Sequence, residues 1–594
     1  MKQVKNITAI ALALSLLLFS GCGQQVKDPS SQETSAPEEI QDETTVETGE
    51  IPDETALAES ESTGNNTTVT LSDQGCTIVG AGAKFSDSTL KITGSGRYTL
   101  SGKLSAGRIL VNAEVDSNVE LILNGVEITS PEHDAIYCKK AGSLKITLAS
   151  GTENHLVSGT SDTYGLGIQP ESAEDDDSEE SEEELKKSQK AAIYSKAPLY
   201  ITGDGSLTVE GLIKNGIQAK PGLLIDTAKI TVTAVNDAIK SKGAIQINSG
   251  EFDIFAFGDG ISTDGNLTIE GGSFSLRTGE GSESVEMKTE DFGPPRFGFD
   301  NASYDLDDSG YGSQKGIKAE GNMTILGGTY QMDTADDCIH CGSVLTISGG
   351  AMILSSGDDG IHADDSLSIT GGDIAVSYCY EGIEAIHIDV EDGNISVTAV
   401  DDGFNACGER ADSPTLTVNG GNIYVDAAGD GLDSNGDLTI NGGYVRVDGP
   451  PDSMNAAMDV GSENGGVFTT NGGTLIAVGM SGMLEVPEET SGQVSLTFVF
   501  PETLPADTEV VITDTAGQEL GRFTTVKIAD SVIFSSPELI LGETYTFTWA
   551  GGSDTLEASE ISSTNYTRSF GGPGGFGGPG GPGGMGGPPG FGQP

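Results

Sequence analysis

One aliphatic position returns at an almost fixed interval through the middle of the chain, and that interval limits what the chain can fold into. It follows a pair resembling Asp-Gly and is filled by Ile217, Ile239, Ile261, Ile317, Ile339, Ile361, Ile383, Phe404 and Leu432. Successive spacings are 22, 22, 56, 22, 22, 22, 21 and 28 residues. Ile136 and Ile193 fit the same slot less regularly upstream. Each unit holds three short alternations: Gly-Ile-x-Ala, Leu-x-Ile, and an apolar-x-apolar step such as Ile374-Ala375-Val376. Alternation with period two is a strand signal. Between the second and third steps lies a Gly-Gly pair, as at Gly271-Gly272, Gly327-Gly328, Gly349-Gly350, Gly371-Gly372 and Gly442-Gly443. Glycine there allows a sharp corner. No helix-length periodic segment separates the strands.

Three strands and tight corners in about 22 residues make one coil of a parallel β-helix; a propeller blade needs about twice that length. The expected fold class is therefore all-β: a right-handed parallel β-helix of ~22-residue coils with a small C-terminal β module. The helix is placed at about 76–485, with insertions at about 160–190 and 279–314. Residues 490–560 lose the period and read as a β module capping the helix end. Residues 570–594 are a Gly/Pro repeat and should form a flexible tail.

The first 22 residues read as an export signal. Lys2 and Lys5 precede an apolar run at 7–19 that is short for a membrane span. Phe19-Ser20-Gly21-Cys22 resembles a bacterial lipobox, with Cys22 as the lipidation site and Phe19 in place of the usual Leu. An ordinary signal peptide with a chance cysteine is the competing reading. Residues 23–68 carry 12 acidic residues and one lysine, a composition that cannot bury a core and should remain a disordered linker. The expected location is extracellular, anchored to the bacterial membrane only through lipidated Cys22. The chain is expected to be a monomer. A net charge of −60 excludes nucleic acid as a partner.

Cys76, Cys138, Cys338, Cys341, Cys379 and Cys407 offer pairing, but spacing does not give connectivity. Cys338-Ile339-His340-Cys341 invites a zinc or redox reading. Both cysteines, however, fall in repeat slots that elsewhere hold Gly, Ala or Ser, so small buried residues are the better reading.

Two positions before each anchor lies an acidic column. It contains Asp134, Asp237, Asp259, Asp337, Asp359, Glu381, Asp402 and Asp430, interrupted by Ala191, Asn215 and Lys315. One position earlier adds Asp336, Asp358 and Asp401. Two unit charges about 4.8 Å apart repel by roughly 3.5 kcal/mol at an effective dielectric of ~20. Neutralising cations relieve this, and hard carboxylate ligands suit Ca²⁺. Asp237, Asp259, Asp336, Asp337, Asp358, Asp359, Glu381, Asp401, Asp402 and Asp430 are thus the candidate Ca²⁺ ligands, and the Lys315 ammonium takes the place of one ion. The competing reading makes them turn residues bonded to local backbone. The position after the anchor should face outward. Lys240, Lys318, His340, His362 and Glu384 there are candidate polymer contacts, or simply a solvated face.

Units such as DDCIHCGSVLTISGG and GDDGIHADDSLSITGG carry a resemblance over roughly 76–560. The chain resembles a bacterial family of carbohydrate-binding β-helix proteins that look like pectate lyases and bind acidic plant polysaccharide with calcium. The resemblance implies a parallel β-helix, bound Ca²⁺, and affinity for polygalacturonate and for cellulose. The expected function is non-catalytic, Ca²⁺-dependent binding of an acidic, pectin-like polysaccharide. A polysaccharide lyase, with Lys318 or Lys240 as base, and a calcium-stiffened surface adhesin are the alternatives. The only tryptophan, Trp549, lies in the C-terminal module, which leaves a cellulose platform poorly supplied.

Overall fold

The computed structural model describes residues 64–160, 189–286, 312–408, 413–462 and 465–566. The protein is all-β, with one 43-stranded, mostly parallel sheet system and a separate four-stranded antiparallel sheet. Among the described residues helix is confined to short 3-10 stretches, such as Ser282–Ser284. Cys22, the linker up to residue 63, the insertion residues 161–188 and 287–311, and the Gly/Pro tail lie outside the described residues.

The aliphatic repeat fixes the register. Ile217 pairs with Ile239, Ile239 with Ile261, Ile261 with Ile317, Ile317 with Ile339, and Ile339 with Ile361. Ile361 pairs with Ile383, Ile383 with Phe404, and Phe404 with Leu432. The less regular upstream positions join the same column, Ile136 to Ile193 and Ile193 to Ile217. The 56-residue gap between Ile261 and Ile317 therefore leaves the stacking unbroken. All these anchors are fully buried, and each such side chain contributes about 1.5–3 kcal/mol by leaving water.

Second and third strands stack in the same way. Leu267, Met323, Leu345 and Leu367 are partners along one column. Phe252, Phe274 and Tyr330 lie along the other, with ring centroids 4.8 Å apart at both steps and planes within 3° of parallel. The corner between the two columns turns at the Gly-Gly pairs. Gly350 sits at φ +110°, where an L side chain is strained, and an added Cβ would lie 3.2 Å from Gly328 O. Asn419, Asn441 and Asn471, each preceding such a pair, form an amide ladder with bonds of 2.8 and 2.9 Å.

The ends depart from the regular pattern. Asn65–Leu71 is a strand that pairs in parallel with Gly96–Leu104, so residues 65–68, which composition assigned to the linker, belong to the sheet. Val69 and Leu71 of its TVTL alternation are buried, which offsets the polar composition of the preceding residues. At the other end, Ala529–Ser535 pairs antiparallel with both Thr474–Gly479 and Ser495–Leu504, ending the parallel run. Glu509–Thr513, Glu519–Thr524, Thr544–Trp549 and Gly552–Glu557 form the four-stranded sheet. That sheet shares a second core, in which Trp549 packs edge-on against Phe500 at 5.2 Å. Arg446 ties this region to the repeats. It pairs with Asp448, donates to Thr524 O at 3.2 Å, and lies over the Phe523 ring.

All six described cysteines are free thiols. Cys338 and Cys341 are fully buried and donate to Ser355 O and Gly321 O, as small core residues do.

Candidate cation-binding column

The acidic column is held by the turn that leads into each first strand. A glycine or small residue separates each acid from its anchor because the neighbouring unit passes close by. A Cβ on Gly403 would lie 2.2 Å from Val425 Cγ1 and 2.5 Å from Gly431 O. The side chain two positions before the anchor then aims one oxygen at the next unit. Asp237 Oδ1 accepts the Asp259 N–H at 3.0 Å, Asp259 Oδ1 that of Lys315 at 2.9 Å, and Asp337 Oδ1 that of Asp359 at 3.1 Å. Asp134 Oδ1 does the same for Lys190 and Ala191, and Asp430 Oδ1 for Ala456. Bonding to backbone thus accounts for one oxygen of each of these acids.

Their second oxygens divide the column. From Asp237 to Asp359 the protein supplies its own cations. Lys240 Nζ lies 2.8 Å from Asp237 Oδ2. Lys315 Nζ bridges Asp336 Oδ1 and Asp337 Oδ2, at 2.8 Å each. His340 Nδ1 is 2.9 Å from Asp337 Oδ2, and His362 Nδ1 is 3.0 Å from Asp359 Oδ2. Lys318 pairs with Glu320 at 3.0 Å. Burial pushes the Asp337 carboxyl up, yet Lys315 and the two histidines outweigh it and hold the group far below the usual carboxylate range. Burial and Asp237 raise Asp259 to about 6. Burial likewise disfavours His362 as a cation, but bonds to Asp359, Asp364 and Glu384 overcome this and raise its pKa strongly.

Beyond Asp359 the pattern changes. Among the described residues, no lysine, arginine or histidine pairs with Glu381, Asp401, Asp402 or Asp430. Glu381 accepts a neutral bond from Asn405 Nδ2 at 2.8 Å and bonds with the Glu384 carboxyl. Burial, then Asp430 and Asp401, push Asp402 up to about 9. Burial drives Asp430 to about 8, and burial with Glu384 drives Glu381 to about 8. Half-buried carboxylates crowded in this way need protons or a bound cation. The donor set is oxygen alone, which suits a hard ion such as Ca²⁺.

The residues after the anchors point out of the core, but they are not a free solvated row. Lys240, His340 and His362 fold back onto the column, and Glu384 Oε2 lies 3.3 Å from His362 Nδ1. Burial opposes ionisation of Glu384, but the bond to His362 and its charge hold the group at about 2. Asp364, two residues past His362, joins this cluster. Sequence reasoning missed it because it breaks the column's spacing.

A second concave surface lies over the third strands. This groove of about 680 Å³ is lined by Gln331, Ile353, Asn394, Asn422 and Tyr424 among others, with Asp373 its one charged residue. Asp373 Oδ1 accepts a bond from Asn394 Nδ2 at 2.7 Å.

Stacked three-strand units with an acidic column along one edge define an all-β repeat protein. Residues 86–360 and 355–481 match the family model described as carbohydrate-binding domain-containing protein. The matched segments span more than half of the chain, and the chain belongs to that family. A relative of the same description from Acetivibrio thermocellus is 35% identical over 153 residues, which is 26% of this chain and 48% of the relative. The chain thus spans about half the length of this curated relative. A solved structure of a polysaccharide lyase-like protein from C. thermocellum aligns with 51% of this chain and 96% of its own, at 25% identity and a TM-score of 0.33.

Proposed function

We propose that this carbohydrate-binding protein is a non-catalytic surface protein whose stacked units form a right-handed parallel β-helix and hold Ca²⁺ for an acidic polysaccharide of the polygalacturonate type. The observation that carries this reading is the stretch Glu381, Asp401, Asp402 and Asp430, where, among the described residues, half-buried carboxylates lack a cation of their own. Glu381, Asp402 and Asp430 would be the principal ligands, with Asp401 beside them. Calcium there would supply positive charge that both the protein and a uronate carboxylate can share. A chain of net charge −60 otherwise repels such a polymer. The acids from Asp237 to Asp359 are weaker candidates for Ca²⁺, because Lys240, Lys315, His340 and His362 already meet four of them.

The bases that a lyase would need are poorly placed. Lys240 is committed to Asp237. Burial lowers the Lys318 pKa, but Asp259 and Glu320 more than reverse this, so it holds its proton tightly. Lipidation at Cys22 would display the repeats outside the cell, and stable anchoring there takes more than one acyl chain.

A second reading rests on the groove over the third strands. Its amides, hydroxyls and Tyr424, with no lysine or arginine, suit a neutral glycan. One experiment separates the readings: binding of polygalacturonate and of a neutral β-glucan, each with Ca²⁺ and then with chelator, while following ultraviolet absorbance for unsaturated ends. Uronate binding that chelator abolishes, at constant absorbance, supports the calcium reading. Calcium-independent glucan binding supports the groove. Rising absorbance means a lyase.

A further inference from the structure

His340 and His362 stand in register on adjacent first strands. Their ring centroids are 4.9 Å apart and the planes are tilted by 34°. Each directs Nδ1 at the aspartate three residues before it, 2.9 Å from Asp337 Oδ2 and 3.0 Å from Asp359 Oδ2. A carboxylate at Nδ1 fixes that nitrogen as a donor and aims Nε2 away from the column, where a metal ion can displace the proton it shares with Asp364. Both Nε2 atoms approach one further oxygen, Asp364 Oδ1, at 3.7 and 3.3 Å. The Asp364 side chain is 53% exposed and the imidazoles 14% and 24%, so this edge of the cluster opens to solvent.

We propose that His340, His362 and Asp364 bind a borderline divalent transition-metal ion of the zinc class, separately from the all-oxygen stretch further along the column. Two imidazole nitrogens and one carboxylate are the donors that such ions select, whereas Ca²⁺ takes oxygen. Ligands bound at ~2.0–2.1 Å around a tetrahedral ion lie about 3.3–3.5 Å from one another. One of the two N···O separations meets that figure and the other exceeds it by a few tenths of an ångström. Asp337 and Asp359 are positioning residues: they orient the rings and raise the basicity of Nε2, as carboxylates behind metal-bound histidines do. Asp337, Asp359, Asp364 and Glu384 surround the two rings with only Lys315 as a fixed counter-charge, so a doubly positive ion is electrostatically welcome. The repeated Asp-x-x-His at 337–340 and 359–362 builds the site from two consecutive units.

The test uses the full chain stripped of metal. Zn²⁺ is titrated by equilibrium dialysis and Co²⁺ by visible absorption, both with millimolar Ca²⁺ present. The expected result is one ion per chain, retained against Ca²⁺, with Co²⁺ bands of low coordination number. The His340→Gln, His362→Gln double variant should lose it, and Asp364→Asn should weaken it by about tenfold or more. Glu519→Gln, in the four-stranded sheet, should bind as the parent does. No stoichiometric binding, displacement by Ca²⁺, or unchanged binding in the double variant would overturn the proposal. Should the double variant fold poorly, the half-exposed Asp364→Asn carries the same decision.

Discussion

Asp402 Oδ1 accepts the backbone N–H of Asp430, its counterpart in the next unit, at 2.6 Å. The side chain thus acts twice, bonding one unit to its neighbour while adding a charge to a crowded column. Asn215 makes the equivalent bond to the Asp237 N–H at 3.2 Å without any charge. The two roles can therefore be separated by substitution.

Asp402→Asn keeps an oxygen for the Asp430 N–H and removes the charge. In chelator it should melt higher than the parent, and calcium titration should show weaker binding. Asp402→Ala loses the acceptor as well, leaving an N–H unsatisfied, and should cost roughly 1–3 kcal/mol relative to Asn. Thermal melts of the three chains, with and without Ca²⁺, decide this. An Asn variant less stable than the parent in chelator would contradict the account.

Stability without Ca²⁺ should fall as pH rises from about 4 to about 9. Asp402, Asp430 and Glu381 have folded-state values of about 9, about 8 and about 8, above ordinary carboxylate values of ~4. In that window the folded chain holds more protons than the unfolded one, so deprotonation favours unfolding. The contribution is complete below about pH 4 and lost as pH passes the raised values. Asp337 and Glu384, which are depressed, act in the opposite sense and only at the acid end. Saturating Ca²⁺ should flatten the decline. A melting temperature that rises across the window in chelator would refute this.

Lys315→Met should be among the most damaging single changes. It strands Asp337, which is buried, and Asp336 without their ammonium. Breaking a buried pair from one side costs about 3–5 kcal/mol. The Lys315→Met, Asp337→Asn double variant should recover most of the loss. Chemical denaturation of the two variants measures the coupling.

Gly350→Ala and Gly271→Ala should differ although both lie in Gly-Gly corners. At Gly350 the backbone has φ +110°, whereas the only atom near a Cβ on Gly271 is Asn248 O at 3.6 Å. The first should cost about 1 kcal/mol or more, and the second should be close to neutral. Equal denaturation midpoints would remove the case for a conformational requirement at Gly350.

The stacking was legible because the side-chain period and the unit length are both written in the chain. Ile217 through Leu432 pair in the register read from the sequence, including the step across the insertion. The acidic column was legible as a column, since equal positions in successive units align. Its electrostatic division was not. Whether Lys240 and His362 turn outward or fold back depends on rotamers and on neighbours 22 residues away. Asp364 lies outside the repeat's spacing. The asparagines before three Gly-Gly pairs did carry a signal, but only the corner geometry shows that their amides touch. The terminal sheet was visible as strands; its antiparallel closure through Ala529–Ser535 depends on long-range pairing that no local pattern specifies.

The pairing of Ile261 with Ile317 across 56 residues makes the scaffold a ruler graduated in units rather than in residues. Whatever the excursion between them contains, the charges on either side keep the pitch of the strands. Insertions between units can be gained, lost or exchanged without altering that pitch, so new chemistry can be added beside the column while its periodicity stays constant.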